Sequence, residues 1–197
     1  IRDKEIAEQG IFARRQECRN IFQGVEMIAS TYGFSGIDPN TVLMGWGRNT
    51  KDPKSFYEMT TRLSDLDYNV LYLDYDQKRG FGNYNKVDLW WSSLSKECEF
   101  MLSLIKLVQT SNAWRNAEFR ILLINDENEQ RLAVEEQIDE LLNELRIQAT
   151  TKVINNSVNK KSEYEIVKTH SFDADLVFLP IPELGKGKES DFVRSTD

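Results

Sequence analysis

The chain of 197 residues contains one histidine, two cysteines and four prolines, and it has no run of about 18 consecutive apolar residues. Each scarcity narrows the function. Histidine is the side chain that most often serves as general base near neutral pH, and His170 is the only one. It falls between an expected helix and an expected strand, and no serine or cysteine occupies a strand-to-helix elbow of the GxSxG kind. A structural or surface role is expected for it, and no catalytic residue is assigned. Cys18 and Cys98 lie far apart without a CxxC pair, so they read as buried, reduced thiols of a cytosolic protein. One histidine and two distant cysteines do not make a zinc set, and no DxDxDG calcium loop is present. Asp173 and Asp175 read as turn and strand-start residues, and Glu135-Glu136 as part of a wet helix face. No metal or cofactor is expected. Without a bilayer-length apolar segment, and with Ile1-Arg2-Asp3-Lys4-Glu5 unlike a signal peptide, direct membrane insertion of this stretch is not expected.

A positive charge balance is also missing. Thirty-two acidic against 25 basic residues give a net charge of −7, which repels a phosphate backbone, so no nucleic-acid partner is expected. The local basic pairs Arg14-Arg15 and Lys160-Lys161 have carboxylates nearby and read as solvated surface.

The composition that remains is globular: 40% apolar, 11% aromatic and 29% charged residues suffice for a continuous core under a solvated surface. Residues 13–31 place Cys18, Ile21, Phe22, Val25 and Ile28 at helical spacing, which predicts an amphipathic helix. Thr41–Gly45, following Pro39-Asn40, is short and apolar like a strand buried on both faces. Asp52-Pro53 supplies an N-cap and a first-turn proline for a helix over 53–66. Strands are predicted at 69–74 and 87–91, with a polar, glycine-bearing segment at 77–86 between them that reads as a mobile loop. A helix near 97–109, a strand at 119–124 and a helix at 128–146 follow. The last opens on Asp126 and Glu129 as a capping box and aligns Val134, Ile138, Leu141, Leu142 and Leu145. A strand near 151–154, a helix near 162–169 and a strand at 176–180 complete the alternation.

This order predicts an α/β fold, a mostly parallel sheet with helices on both faces and an extra N-terminal helix. Residues 1–36 read as an N-terminal helical segment, the tail of an upstream element. Residues 37–197 read as the α/β domain, cut short after its last strand. Two glycine pairs follow strands, Gly45-Trp46-Gly47-Arg48 and Gly185-Lys186-Gly187-Lys188. Neither completes a GxGxxG or GxxxxGK[ST] fingerprint, so a nucleotide-sensing module is retained only as the alternative function. Trp90 and Trp91 should point to opposite sheet faces, while Trp46 and Trp114 sit in connections where something must cover them.

Several strings together resemble the cytosolic C-terminal domain of the cation-chloride cotransporters. They are Gly24-Val25, Ala29, Gly33-Phe34, Pro39-Asn40-Thr41-Val42-Leu43-Met44-Gly45-Trp46, Val87-Asp88-Leu89-Trp90-Trp91, Trp114 and Phe119-Arg120-Ile121. Leu145-Arg146-Ile147 and Ala174-Asp175-Leu176-Val177-Phe178-Leu179-Pro180 fit the same family, and the resemblance spans about residues 20–182. It implies a fold similar to the universal stress proteins and a non-enzymatic regulatory and dimerisation domain, a homodimer, at the cytoplasmic face of the cell membrane. The partner implied is the protein's own transmembrane core, which would carry sodium or potassium with chloride. Ser92-Ser93-Leu94-Ser95-Lys96-Glu97 stands where many members carry an acidic, glycine-rich turn, and the long regulatory insertions of animal members are missing, as in a compact prokaryotic member. Ion-binding residues would belong to the transmembrane core, so none is assigned.

Overall fold

The computed structural model describes residues 15–31, 39–48, 50–91, 96–125, 131–157, 160–182, 184–185 and 187–194. Packing divides the chain into two compact units, one formed by Ile1–Tyr75 with Pro182–Asp197 and the other by Asp76–Ile181. The boundary expected near residue 36 falls outside the described residues.

In the first unit, α1 (Ile21–Thr31) precedes β1 (Thr41–Gly45), α2 (Pro53–Asp65) and β2 (Asn69–Leu73). β1 and β2 pair in parallel, Thr41 opposite Asn69 through Gly45 opposite Leu73. Asp52 caps α2 by accepting from Ser55 N at 3.0 Å, with Pro53 at the first turn as expected. One face of the pair, Val42, Met44, Val70 and Tyr72, packs on Phe56, Tyr57, Met59 and Leu63 of α2.

The N-terminal helix differs from its expectation. It starts at Ile21, because Asn20 caps it, its Oδ1 accepting from Phe22 N at 2.8 Å. Phe22, Val25 and Ala29 face the core, whereas Ile21 is 69% exposed and Ile28 40% exposed. The inward stripe is thus rotated from the predicted one, and Cys18, outside the helix, is exposed and free rather than buried. The hydroxyl of Tyr68, donating to Ala29 O at 2.9 Å, fixes that rotation.

The segment after Pro182, read as lacking a helix, holds a short one, α6 (Glu189–Arg194). Its Phe192 is fully buried in the core of the first unit.

The second unit is a four-stranded, all-parallel sheet ordered β5-β4-β3-β6, from β3 (Lys86–Trp91), β4 (Glu118–Asn125), β5 (Thr150–Asn155) and β6 (Leu176–Phe178). The crossovers are α3 (Lys96–Thr110), α4 (Arg131–Glu144) and α5 (Glu163–His170). Side-chain alternation splits each strand between two faces. Val87, Leu89, Trp91, Ile121, Leu123 and Val153 pack with Leu102 and Ile105 of α3 and Ile138 and Leu142 of α4. Trp90, Leu122 and Ile154 pack on the other face with Ile166 of α5. The expected α/β class, parallel with helices on both faces, is therefore observed, as is the placing of Trp90 and Trp91 on opposite faces. The strands form two separately bonded sheets rather than one. The Asp126–Glu129 capping box lies outside the described residues. Ser162 and Glu165 form the corresponding box on α5.

Residues 77–86, read as a mobile loop, are folded by a carboxylate. Asp175 accepts from Asn83 N at 3.3 Å, Asn85 N at 2.7 Å and Lys86 N at 3.2 Å, and Asp175 N donates to Lys86 O at 2.9 Å. Gly82 makes this possible: it holds φ +56°, and a Cβ there would collide with Asp175 Oδ1. The loop carries Phe81 and Tyr84 onto Trp114, with ring centroids 6.0 and 4.8 Å away. This is the cover Trp114 required, and the indole is buried.

Candidate functional site

Within the second unit the densest polar chemistry is a buried network on the face covered by α5. Asp88 of β3 is fully buried and lies directly opposite Arg120 of β4 in register. Arg120 donates Nε to Asp88 Oδ1 at 2.8 Å and NH2 to Oδ2 at 2.7 Å, a bidentate pair. The same guanidinium donates to the His170 carbonyl at 3.0 Å, a cation at the negative end of α5. Ser171, the C-cap of α5, donates its hydroxyl to Asp88 Oδ2 at 2.6 Å and accepts from Trp90 Nε1 at 3.0 Å. Bonding to Asp88 raises the Arg120 pKa further above its ordinary value, against the opposing effect of burial.

Serine, histidine and aspartate therefore meet, yet the arrangement is not that of a nucleophile. The Ser171 proton goes to a carboxylate already neutralised by arginine, and its lone pair is taken by Trp90, so nothing activates the hydroxyl. His170 packs its ring on Trp90, centroids 6.5 Å apart. Partial burial, followed by the nearby Lys152, Arg120 and Lys161 charges, lowers its pKa below the usual value near 6.5. The network anchors the end of α5 and the turn into β6 to the sheet. Its charged members, Asp88 and Arg120, come from the amino-terminal halves of β3 and β4, whereas ligands of open α/β sheets sit beyond the carboxyl ends.

A second cluster brackets that turn. Lys86 donates to Asp173 at 2.5 Å and lies 3.8 Å from Glu118. The bond from Lys86 holds the Asp173 carboxyl below the ordinary carboxylate range. Asp173 and Asp175 thus act as turn and strand-start residues, as read from sequence. Glu136 is exposed on α4 and Glu135 half-buried. Among the described residues no group of His, Cys, Asp and Glu could hold a metal ion.

Of the glycines that suggested phosphate binding, Gly47 has a packing reason. A Cβ on Gly47 would stand 2.7 Å from the Phe56 ring, and Trp46 between the glycines packs on Phe56, Tyr72 and Phe192 at 5.7, 5.2 and 5.9 Å. Gly185 is tied to Tyr57, whose hydroxyl donates to Gly185 O at 2.7 Å and accepts from Gly185 N at 3.1 Å. The helix that follows, α6, has six residues, too few to cradle a phosphate at its start as a P-loop helix does.

At the carboxyl end of β5 a cavity of about 80 Å³ opens between Asn155, Asn156, Lys161, Thr169 and His170 over a floor of Ile154 and Ile166. Asn156 staples its mouth: Nδ2 donates to Lys161 O at 3.0 Å and Oδ1 accepts from Lys161 N at 2.8 Å. A nucleotide needs roughly 300 Å³ or more, so this cavity does not enclose one.

Asp88 and Arg120 were missed as a pair by sequence reasoning, although a signal existed. Each is a charge flanked on both sides by apolar residues of its strand, of opposite sign, and such charges are almost never fully buried unless paired.

No family model matches the sequence. Among solved structures, one described as the cytoplasmic domain of a prokaryotic cation chloride cotransporter superposes with a TM-score of 0.69 at 17% identity. The match covers 98% of this chain and 72% of that one. At that identity the likeness is one of fold, and it extends over both units. No helix among the described residues is long and apolar enough to cross a membrane.

Proposed function

We propose that this chain is the cytoplasmic C-terminal domain of a cation-chloride cotransporter, a non-catalytic regulatory and dimer-forming part of a symporter whose transmembrane core carries the ions. The observation that carries the reading is the fold likeness over 98% of the chain to such a cytoplasmic domain. It coincides with the two strings that suggested the family. Thr41–Trp46 forms β1 and its exit, and Val87–Trp91 lies in β3, so the resemblance rests on residues that pack the two cores. The buried polar network supports a non-catalytic role, since its charged members are spent on one another. Chloride and a sodium or potassium ion are the cargo implied for the absent core, and the cytoplasmic face of the membrane is the implied location.

The reading is tested at two levels. The full reading frame should place about ten to twelve membrane-length apolar segments upstream, and flux of chloride with a monovalent cation should fall when residues 1–197 are deleted. A frame without such segments refutes the transporter assignment. Light scattering of the isolated chain should give a dimer, and a monomer at high concentration would remove the dimerisation part alone. Nucleotide sensing is the second reading, and the small cavity after β5 and the six-residue α6 both weigh against it. Titration with ATP should give neither heat nor thermal stabilisation.

A further inference from the structure

We propose that the cavity at the carboxyl end of β5 binds a tetrahedral oxyanion of the sulfate or phosphate class, held by Lys161 and the protonated imidazole of His170. The cavity opens at the carboxyl end of β5, and His170, one of its walls, is tied to the Asp88 network through the bond from Arg120 to its carbonyl. The volume suits the ligand: at roughly 10–15 Å³ for each water-sized probe, about 80 Å³ accommodates the oxygens of one small oxyanion and little more. Two apolar residues form the floor and five polar ones the walls, the composition of a site that orients a polar ion.

The charges facing His170 give the cavity its sign. Lys152 of β5, Arg120 of β4 and Lys161 before α5 all depress its proton affinity. Nearby carboxylates have partners of their own. Asp88 is paired with Arg120, Asp173 is bonded to Lys86, and Glu165 caps Ser162 while also attracting Lys161. Glu163 lies in the first turn of α5, and Lys168 stands over the Tyr164 ring. Among the described residues neither Lys152 nor Lys161 makes an ion pair. A bound dianion would reverse the field at the imidazole, favouring the protonated form that donates to it.

Because the chain has one histidine, its Cε1 proton is a unique NMR reporter in the intact protein. Sulfate is the probe, since its own charge does not change where His170 titrates. Relative to chloride at equal ionic strength, sulfate should raise the His170 pKa by about 0.5 unit or more, a coupling of about threefold, and the effect should saturate. Lys161→Gln, at an exposed position, should abolish most of the rise without moving the unfolding midpoint. Equal pKa values in sulfate and chloride, a shift that never saturates, or an undiminished shift in Lys161→Gln would overturn the site. Inorganic phosphate and glycerol phosphate form the second comparison, and binding of the ester but not of the free ion would overturn the assignment to a free oxyanion.

Discussion

Removing one member of the Asp88–Arg120 pair should cost far more than removing both. Asp88 is fully buried and the Arg120 side chain is 15% exposed. Asp88 accepts two bonds from Arg120 and one from Ser171. In Arg120→Met the carboxylate stays in the interior with one neutral donor left, and breaking a buried pair in this way costs about 3–5 kcal/mol. Asp88→Leu strands the guanidinium, which also bonds the His170 carbonyl and can relax outward, so its loss should lie at the lower end of that range. The double variant replaces both charges with apolar groups of similar size, which is often neutral. Two single losses of about 3 kcal/mol and a double loss near 1 would give a coupling energy of several kcal/mol, above the usual range for contacting residues. Urea unfolding followed by tryptophan fluorescence reads this directly, because Trp90 bonds the same Ser171 and Trp91 and Trp114 lie in the same unit. In a chain of this size 3 kcal/mol corresponds to a melting shift on the order of 10 °C. Single losses below 1 kcal/mol, or losses that simply add in the double variant, would refute the account of the network as a mutually compensating anchor.

Three further outcomes follow from the packing. Phe192→Ala removes the fully buried ring that closes the core of the first unit and should cost about 3–5 kcal/mol in chemical denaturation; a loss under 1 kcal/mol would mean α6 is not part of that core. Gly82→Ala should destabilise the second unit by more than about 1 kcal/mol through strained backbone and displacement of Asp175, visible as faster amide exchange at Asn85 and Lys86. The folded-state pKa of His170 lies below its unfolded value, so between those values the unfolded chain binds more protons. The contribution is therefore present above about pH 6.5 and lost as pH falls through the folded value, and His170→Gln should flatten the stability profile in that window.

Much of the fold was legible because local signals and burial agreed. Asp52-Pro53 caps a helix at the expected place, and the alternation at Trp90-Trp91 follows from the pleat alone. The N-terminal helix was misplaced because its apolar residues outnumber those it buries. Which of Ile21, Phe22, Val25 and Ile28 turns inward is decided by Tyr68, distant in sequence, through its bond to Ala29. The loop at 77–86 looked disordered because its organising group, Asp175, lies about ninety residues away. Phe192 was invisible for the same reason, since one phenylalanine in a polar stretch has no periodicity to report it.

The polarity of the sheet separates what holds this domain together from what it can recognise. Around the amino-terminal halves and ends of β3 and β4, charges are closed on one another: Asp88 on Arg120, Asp173 on Lys86, Asp175 on the backbone of residues 83–86. Such groups have no capacity left for a ligand, and their loss should act through stability. At the carboxyl ends, Trp91 is buried while Leu179 and Pro180 after β6 are exposed, and a cavity walled by Lys161 and His170 lies after β5. In the cotransporter proposed above, a defect caused by Arg120→Met should therefore accompany loss of folded protein, and lowering the temperature should relieve it. A defect caused by Lys161→Gln should leave protein abundance unchanged and should depend on the anion present. If both variants instead reduced abundance equally, the β5 cavity would belong to the scaffold, and recognition would have to be sought on the surfaces of the helices.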